Sequence, residues 1–262
     1  MMDKQNQYQS IVDDVNNCKQ CDSLMTKSRD KSSQIMLEHA CTQHVNLWSY
    51  WQGCLSPEIL VIGQDWGRLP KPDQMHVFTN CESYRAQIVP GNNPTDIGLL
   101  NLFKDVFNVD ILHDQKLFFT NSVFCYKSGN LNENVRKAWF NNCNSLFMGR
   151  LTAVLEPKCI VTLGKHALDG LACCGDIKYV DNNAVDLKRG LKSIVEDAEQ
   201  MWWCSTDGKS RVMLFPAFHP GSYSRLNRPY AEQLKDWERI EKHVKLTHNL
   251  RVKVSLRKKS SY

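Results

Sequence analysis

Four short apolar runs set the terms on which this chain can fold: EILVIG at 58–63, LFFTNSVF at 117–124, KCIVTLG at 158–164 and RVMLFPAF at 211–218. Each is bounded by Gly, Pro, Asn or Lys, and each is short enough to be a strand buried on both faces. Between them, apolar residues recur at helical spacing. Residues 96–107 place Leu99, Leu100, Phe103, Val106 and Phe107 on one face, and 132–155 do the same with Val135, Trp139, Leu146, Leu151 and Val154. Tyr230 follows Pro229, a good first-turn residue, and opens a helix carrying Leu234, Trp237, Ile240 and Val244. Strands separated by helices imply a parallel sheet covered on both faces. The expected fold is α/β: a three-layer sandwich around a central, mainly parallel, four-stranded sheet. Such sheets bind ligands beyond the carboxyl ends of their strands.

Two stretches break the alternation, 28–57 and 175–210; the second holds a helical pattern around 187–201 followed by Trp202, Trp203 and Cys204. Both read as insertions on the rim of one domain spanning 1–262, because a single core can grow to ~250 residues before it splits. With 42% hydrophobic and 23% charged residues, the composition excludes collagen-like, coiled-coil and disordered chains. No apolar run approaches the ~18–20 residues that cross a bilayer. The polar start MMDKQNQYQS lacks the apolar segment of a secretory signal, so a cytoplasmic protein with no membrane partner is expected. A monomer is expected as well. The net charge of +5 permits an anionic partner without demanding one, and part of the excess sits in the basic tail RVKVSLRKKSSY. Eleven scattered cysteines in a reducing compartment are small buried residues or ligands, not a disulfide framework.

The unusual residues cluster where the strands should end. GQDWG at Gly63–Gly67 follows the first run; its glycines let the backbone approach a ligand, and Asp65 at the strand end can orient water. The second run ends in TNSVFC and continues as YKSGN, where Asn121 has both a donor and an acceptor to read the edge of a base. The last ends in AFHPGSYSR, where His219 can donate to an oxyanion. Any one of these alone is as readily a tight turn with a solvated Asp, or a satisfied core polar group. Three at three strand ends make a pocket.

The order CxxC (Cys18, Cys21), strand–GQDWG, strand–TNSVFCYKSGN, a later Cys143, strand–LGKHAL and strand–HPGSYSR resembles the uracil-DNA glycosylase superfamily, nearest its family-four iron–sulfur branch. The likeness runs from Ile11 to about Arg225. It implies a monofunctional DNA glycosylase that flips a pyrimidine out of DNA and hydrolyses its N-glycosidic bond. In that likeness Asp65 and His219 are catalytic, and Gly63, Gln64, Trp66, Gly67 and Asn121 bind the base. Lys127, Arg225 and Arg228 are expected to contact phosphates, and Tyr223 falls where relatives place a wedge that enters the base stack. The likeness also implies a [4Fe–4S] cluster on Cys18, Cys21, Cys125 and Cys143, with zinc on the same ligands, or no metal, as alternatives. The remaining cysteines read as small buried residues, although Cys41 and Cys54 are possible substitutes.

The departures from the family pattern bear on the substrate. Trp66 and Gly67 replace the Pro-Tyr of relatives whose Tyr blocks a substituent on pyrimidine carbon five. No Phe precedes Gly98, where family-four enzymes stack uracil; Thr95 is the nearest match, leaving Tyr84, Phe78 or Trp66 to stack on the base. Gly221 stands where Ser is usual, and read against the family pattern these three departures imply a base pocket wider than a uracil pocket. Uracil is the default base. The alternatives are a bulky 5-modified cytosine, such as glucosylated hydroxymethylcytosine, excised from phage DNA in antiviral defence, with Arg85 and 91–96 as its polar partners, and a non-catalytic iron–sulfur DNA-binding module.

Overall fold

The computed structural model describes residues 3–37, 55–65, 94–108, 117–128, 134–197 and 200–259. The chain opens with α1 (Lys4–Asn16) and the hairpin β1 (Met25–Lys27)–β2 (Gln34–Met36), then enters β3 (Ile59–Asp65). Helix α2 (Pro94–Leu102) runs into a π-helical turn, Phe103–Phe107, ahead of β4 (Leu117–Val123). Next come α3 (Lys137–Cys143), a second π-helical turn (Asn144–Met148) and α4 (Gly149–Leu155), one directly after another. They lead to β5 (Cys159–Leu163), α5 (Lys165–Leu171), β6 (Gly175–Tyr179), α6 (Leu191–Glu196), β7 (Met201–Ser205) and β8 (Arg211–Ala217). Helices α7 (Ser222–Asn227) and α8 (Tyr230–Lys259) close the described chain.

The four apolar runs become β3, β4, β5 and β8, all mutually parallel where they pair. Their side chains alternate between two separate cores, which is why the sequence shows unbroken runs instead of alternation. Leu60, Ile62, Phe118, Ile160 and Leu214 pack on one side with Ile11 of α1, Trp139 of α3, Leu151 of α4 and Leu168 of α5. Ile59, Val61, Leu117, Val161 and Met213 pack on the other with Leu99 and Leu102 of α2, Phe103, and Trp237 and Ile240 of α8. Phe103 stacks on Phe107 at 4.9 Å and meets Trp237 edge-on at 5.2 Å. Each such side chain contributes roughly 1.5–3 kcal/mol on burial.

The sheet has six strands, not four, in the order β4–β3–β5–β8–β7–β6. The two additional strands, β7 and β6, run antiparallel and come from the segment 175–210. That segment therefore extends the sheet at one edge, and its helical part shrinks to α6, with Met201 already in β7. Burial explains the difference. In β7 only Met201 and Trp203 are buried, and five residues with one solvated side carry too little alternation to stand out. Of the stretch 28–57, the described part includes β2, which docks on the loop after β4: Ser128 N–H donates to Met36 O at 2.9 Å, and Met36 N–H to Ser128 Oγ at 3.0 Å. Among the described residues, no helix is long and apolar enough to cross a membrane.

Candidate active site

Register brings the strand ends level. Gly63 of β3 stands opposite Asn121 of β4, Ile62 opposite Thr162 of β5, and Leu163 of β5 opposite Ala217 of β8. Asp65 at the end of β3, Asn121 two residues before the end of β4 and His219 two residues after β8 thus lie at the carboxyl end of the sheet. A Cβ on Gly63 would lie 2.2 Å from Asn121 Oδ1, so the buried carboxamide occupies the volume that a side chain at 63 would need. Glycine is required here for close approach, not for a turn.

Asp65 ends β3 and is held from two directions. Gln64 Nε2 donates to its Oδ2 at 2.7 Å, and Lys127 Nζ lies 3.1 Å from Oδ1. The carboxylate and ammonium side chains are 7% and 3% exposed, a nearly dry ion pair. Lys127 was expected on the phosphate-facing surface; the structure places it beside Asp65 because Leu37, just after β2, forms a bridge to residue 127 and turns its side chain inward.

His219 follows β8 by two residues. Its Nδ1 accepts the Gly221 N–H at 3.2 Å, so the neutral ring carries its proton on Nε2. Burial pushes the imidazole pKa below its ordinary value, and the Asp65 charge partly offsets this. The ring is therefore a neutral N–H donor near pH 7, within electrostatic reach of Asp65.

Helix α2 walls the site from the side. Its Gly98 meets the backbone of Pro220, where an added Cβ would come within 2.4 Å of Pro220 O. A Cβ on Gly221 would in turn lie 3.0 Å from His219 Nδ1 and 3.3 Å from Thr95 Oγ1. The small residue at 221 therefore opens no space: the His219 ring and Thr95 already fill it. This removes one of the three sequence arguments for a widened pocket.

Other expected site residues fall elsewhere. Arg228 is buried in a carboxylate network, with Nη2 2.8 Å from Asp236, and Nη1 3.0 Å from Glu196 and 2.9 Å from Glu232. It ties α6 to α8 instead of facing DNA, because three acids from two helices converge on it. Arg225 lies over the Tyr230 ring at 5.2 Å. Leu226, one residue on, is 84% exposed. Trp66, Gly67, Phe78, Tyr84, Arg85 and residues 91–93 lie outside the described residues, as does the Tyr223 side chain.

A second feature stands behind β4. Cys18, Cys21, Cys125 and Cys143 line one small cavity together with Val15, Leu37, Phe124 and Phe147. They arrive from the loop after α1, the loop after β4 and the last residue of α3. Burial pushes the Cys143 thiol far up, and the other three sulfurs add to the rise, so their charges are mutually sensed. Burial also raises Cys21, while Asn142 Nδ2 donates to its sulfur at 3.3 Å. Asn144, fully buried, donates to Ser122 O at 3.1 Å and Phe140 O at 2.8 Å, clamping the end of β4 to α3. Of the other cysteines, Cys159 and Cys174 are buried and Cys173 and Cys204 half-buried; Cys41, Cys54 and Cys81 lie outside the described residues.

Sequence reasoning missed the Asp65–Lys127 pair, the Thr95 contact and the Asn142–Cys21 bond. The only hint in the chain was the Asn-rich run NNCN around Cys143, which supplies two of the polar clamps.

Among curated proteins none matches the chain. A family model described as the uracil DNA glycosylase superfamily matches residues 50–241, about three quarters of the length, and takes in β3 through the middle of α8. With the parallel sheet, the three polar strand ends and this match in agreement, the chain belongs to the uracil DNA glycosylase superfamily.

Proposed function

We propose that the protein is a monofunctional DNA glycosylase acting on a pyrimidine, with uracil as its base. One observation carries this: Asp65, Asn121 and a neutral His219 stand together at the carboxyl end of the parallel strands. A base must leave the stack before such a site can reach it. Asn121 then reads the base edge with its carboxamide, and the backbone at Gly63–Gln64 lines the approach. The glycosidic bond breaks dissociatively. His219 Nε2–H donates to the base oxygen that gains charge, as an oxyanion-hole donor does. Asp65 holds the attacking water. Leu226, exposed on α7 beside the site, is suited to wedge into the gap the base leaves, in addition to Tyr223. Arg225 is the remaining candidate for a phosphate contact.

The four cysteines fit an iron–sulfur cluster, as in the family-four branch. A single zinc on the same four sulfurs is the alternative; among the described residues no group of three or more His, Cys, Asp or Glu is arranged to hold a metal ion. Four thiols lining one cavity are the donor set that a cluster held by four thiolates requires. When bound, such a group supplies cross-linking of α1, β4 and α3 and relieves thiolate repulsion. The asparagine donor to Cys21 is the kind of bond that tunes a cluster's sulfur.

The test is base release from duplexes carrying uracil, thymine or glucosylated hydroxymethylcytosine, scored by released base and by alkali-dependent cleavage. Release of uracil that Asp65→Asn abolishes supports the reading. Release of the glucosylated base alone would transfer the site to a bulky modified cytosine. DNA binding without release of any base would leave a non-catalytic module.

A further inference from the structure

Cations that displace the counterions of a duplex supply most of a protein's sequence-independent affinity for it. Of the three cations expected at phosphates, Lys127 is buried against Asp65 and Arg228 is enclosed by three acids, which leaves Arg225. The charge lies elsewhere in the chain. Residues 246–262 hold five of the 33 Lys and Arg and none of the 28 Asp and Glu, so 1–245 are neutral overall and the entire net charge of +5 belongs to this stretch. Helix α8 carries it. The helix starts just after the pocket loop, where Arg225 lies over the Tyr230 ring at 5.2 Å. It then runs back along the sheet: His243 meets Phe215 of β8 at 5.6 Å and hydrogen-bonds the backbone of Lys158, the residue before β5. Val244 is its last described core residue. Beyond it the helix continues to Lys259, ~22 Å further at 1.5 Å per residue. This extension leaves the body at the amino end of the sheet, away from His219. The helix dipole accounts for cations in the last turn, Arg257, Lys258 and Lys259, but not for Arg251 and Lys253. A membrane-surface helix keeps its cations off one apolar face. Here Leu246, Leu250, Lys253 and Arg257 fall on one row at helical spacing, so cations interrupt the row. Cations distributed round a helix without a single acid match a polyanion.

We propose that residues 246–259 of α8 form a second contact for duplex DNA, separate from the pocket, that tethers the protein to DNA while the pocket engages a base. The choice of DNA as the polyanion rests on the glycosylase reading. From Tyr230 to Lys259 the helix spans ~45 Å. A 10-bp duplex is ~34 Å long at 3.4 Å per base pair, too short to join both contacts, whereas a 40-bp duplex reaches both. Holding the DNA at the extension raises its effective concentration at the pocket.

The experiment measures binding of a 40-bp duplex of ordinary bases across a salt series. It compares the full chain with a variant carrying Arg251→Gln, Lys253→Gln, Arg257→Gln, Lys258→Gln and Lys259→Gln. The expected result is a log–log salt slope shallower by about 3–4 in the variant, at roughly 0.9 per lost phosphate contact. Neutralising the five one at a time should lower the slope in steps, which a misfolded variant would not produce. Exchanging Lys and Arg at the same five positions keeps the charge and should keep the affinity. For base release, kcat/KM on a 40-bp uracil duplex should exceed that on a 10-bp one, and neutralisation should remove this advantage. Equal affinity and slope in the neutralised variant overturn the inference. So does an equal loss on 10-bp and 40-bp duplexes, which would put the extension in the pocket's own footprint. Lost binding to phosphatidylserine vesicles with DNA binding intact overturns it too, in favour of a membrane contact. Ordinary DNA offers no base to excise, so the binding outcomes are independent of glycosylase activity. Binding that depends on the five residues, with no base released from any duplex, sinks the glycosylase reading alone. Uracil release by a protein whose binding ignores them sinks the tether alone.

Discussion

The hydrogen bond from Gly221 to His219 Nδ1 decides what that residue can do, since it leaves one tautomer and one donor. Burial opposes protonation, so the folded-state pKa lies below the ordinary imidazole value of about 6.5. A depressed pKa on a base means the unfolded chain binds the proton more readily. Stability from this residue is thus present above the unfolded value and is lost as pH falls through it. Activity should follow the same direction: base release holds across neutral pH and declines at acid pH, with a midpoint below about 6.5. A pH–rate profile with its acid limb above that value would argue against the neutral-donor role. His219→Ala should slow base release roughly 10²–10³-fold, the cost of removing one oxyanion donor, with little change in DNA affinity. Single-turnover rates and binding isotherms check both.

At the level of elements, α2 and the loop after β8 meet glycine to proline, without any intervening side chain. Gly98→Ala would set a Cβ 2.4 Å from Pro220 O, a backbone atom that cannot swing away. Such overpacking costs about 1–3 kcal/mol, and it displaces His219 as well. Denaturant unfolding should show the loss, and base release should fall further than stability alone explains. Helices α6 and α8 depend on Arg228 in a different way. Replacing it with Met leaves Asp236, whose side chain is 5% exposed, without its bidentate partner, its charge offset only in part by Arg239 at 3.1 Å. Breaking a buried pair from one side costs roughly 3–5 kcal/mol. The expected outcome for Arg228→Met is a marked drop in unfolding midpoint. An unchanged midpoint with weakened DNA binding would return Arg228 to a phosphate role.

For the whole molecule, the cysteine cavity joins parts far apart in sequence: the loop after α1, the loop after β4 and the end of α3. A group bound to all four sulfurs contributes its binding free energy to folding. Purified protein should be brown with broad visible absorbance, and Cys18→Ala should lose that colour and unfold at a lower temperature. Colourless protein with one zinc per chain would replace the cluster while keeping the ligands. Cys159→Ala, in β5 and away from the cavity, should keep the colour and lose only packing.

The four parallel strands could be read from the chain because burial on both faces makes a strand a continuous apolar run, a property of consecutive residues. The observed β3, β4, β5 and β8 fall within one or two residues of those runs. The polar strand ends were legible for the same reason: Asp65, Asn121 and His219 interrupt apolar runs at the point where a parallel sheet exposes its ligand edge. The CxxC pair was legible as spacing, its two later partners only through the family likeness, and all four line one cavity. What could not be read depended on contacts across long separations. Strands β6 and β7 are half-solvated and gain definition only by pairing, β7 onto β8 and β6 onto β7. Lys127 looked like any surface lysine until β2 pinned its backbone and put it against a carboxylate 62 residues earlier. Arg228 looked free until acids on α6 and α8 closed on it. Gly221 looked like an opening until α2 brought Thr95 against it. Local pattern settles which residues are buried in a strand or helix. A charged or missing side chain takes its meaning from whatever the fold sets beside it, and that partner is decided only once the elements have packed.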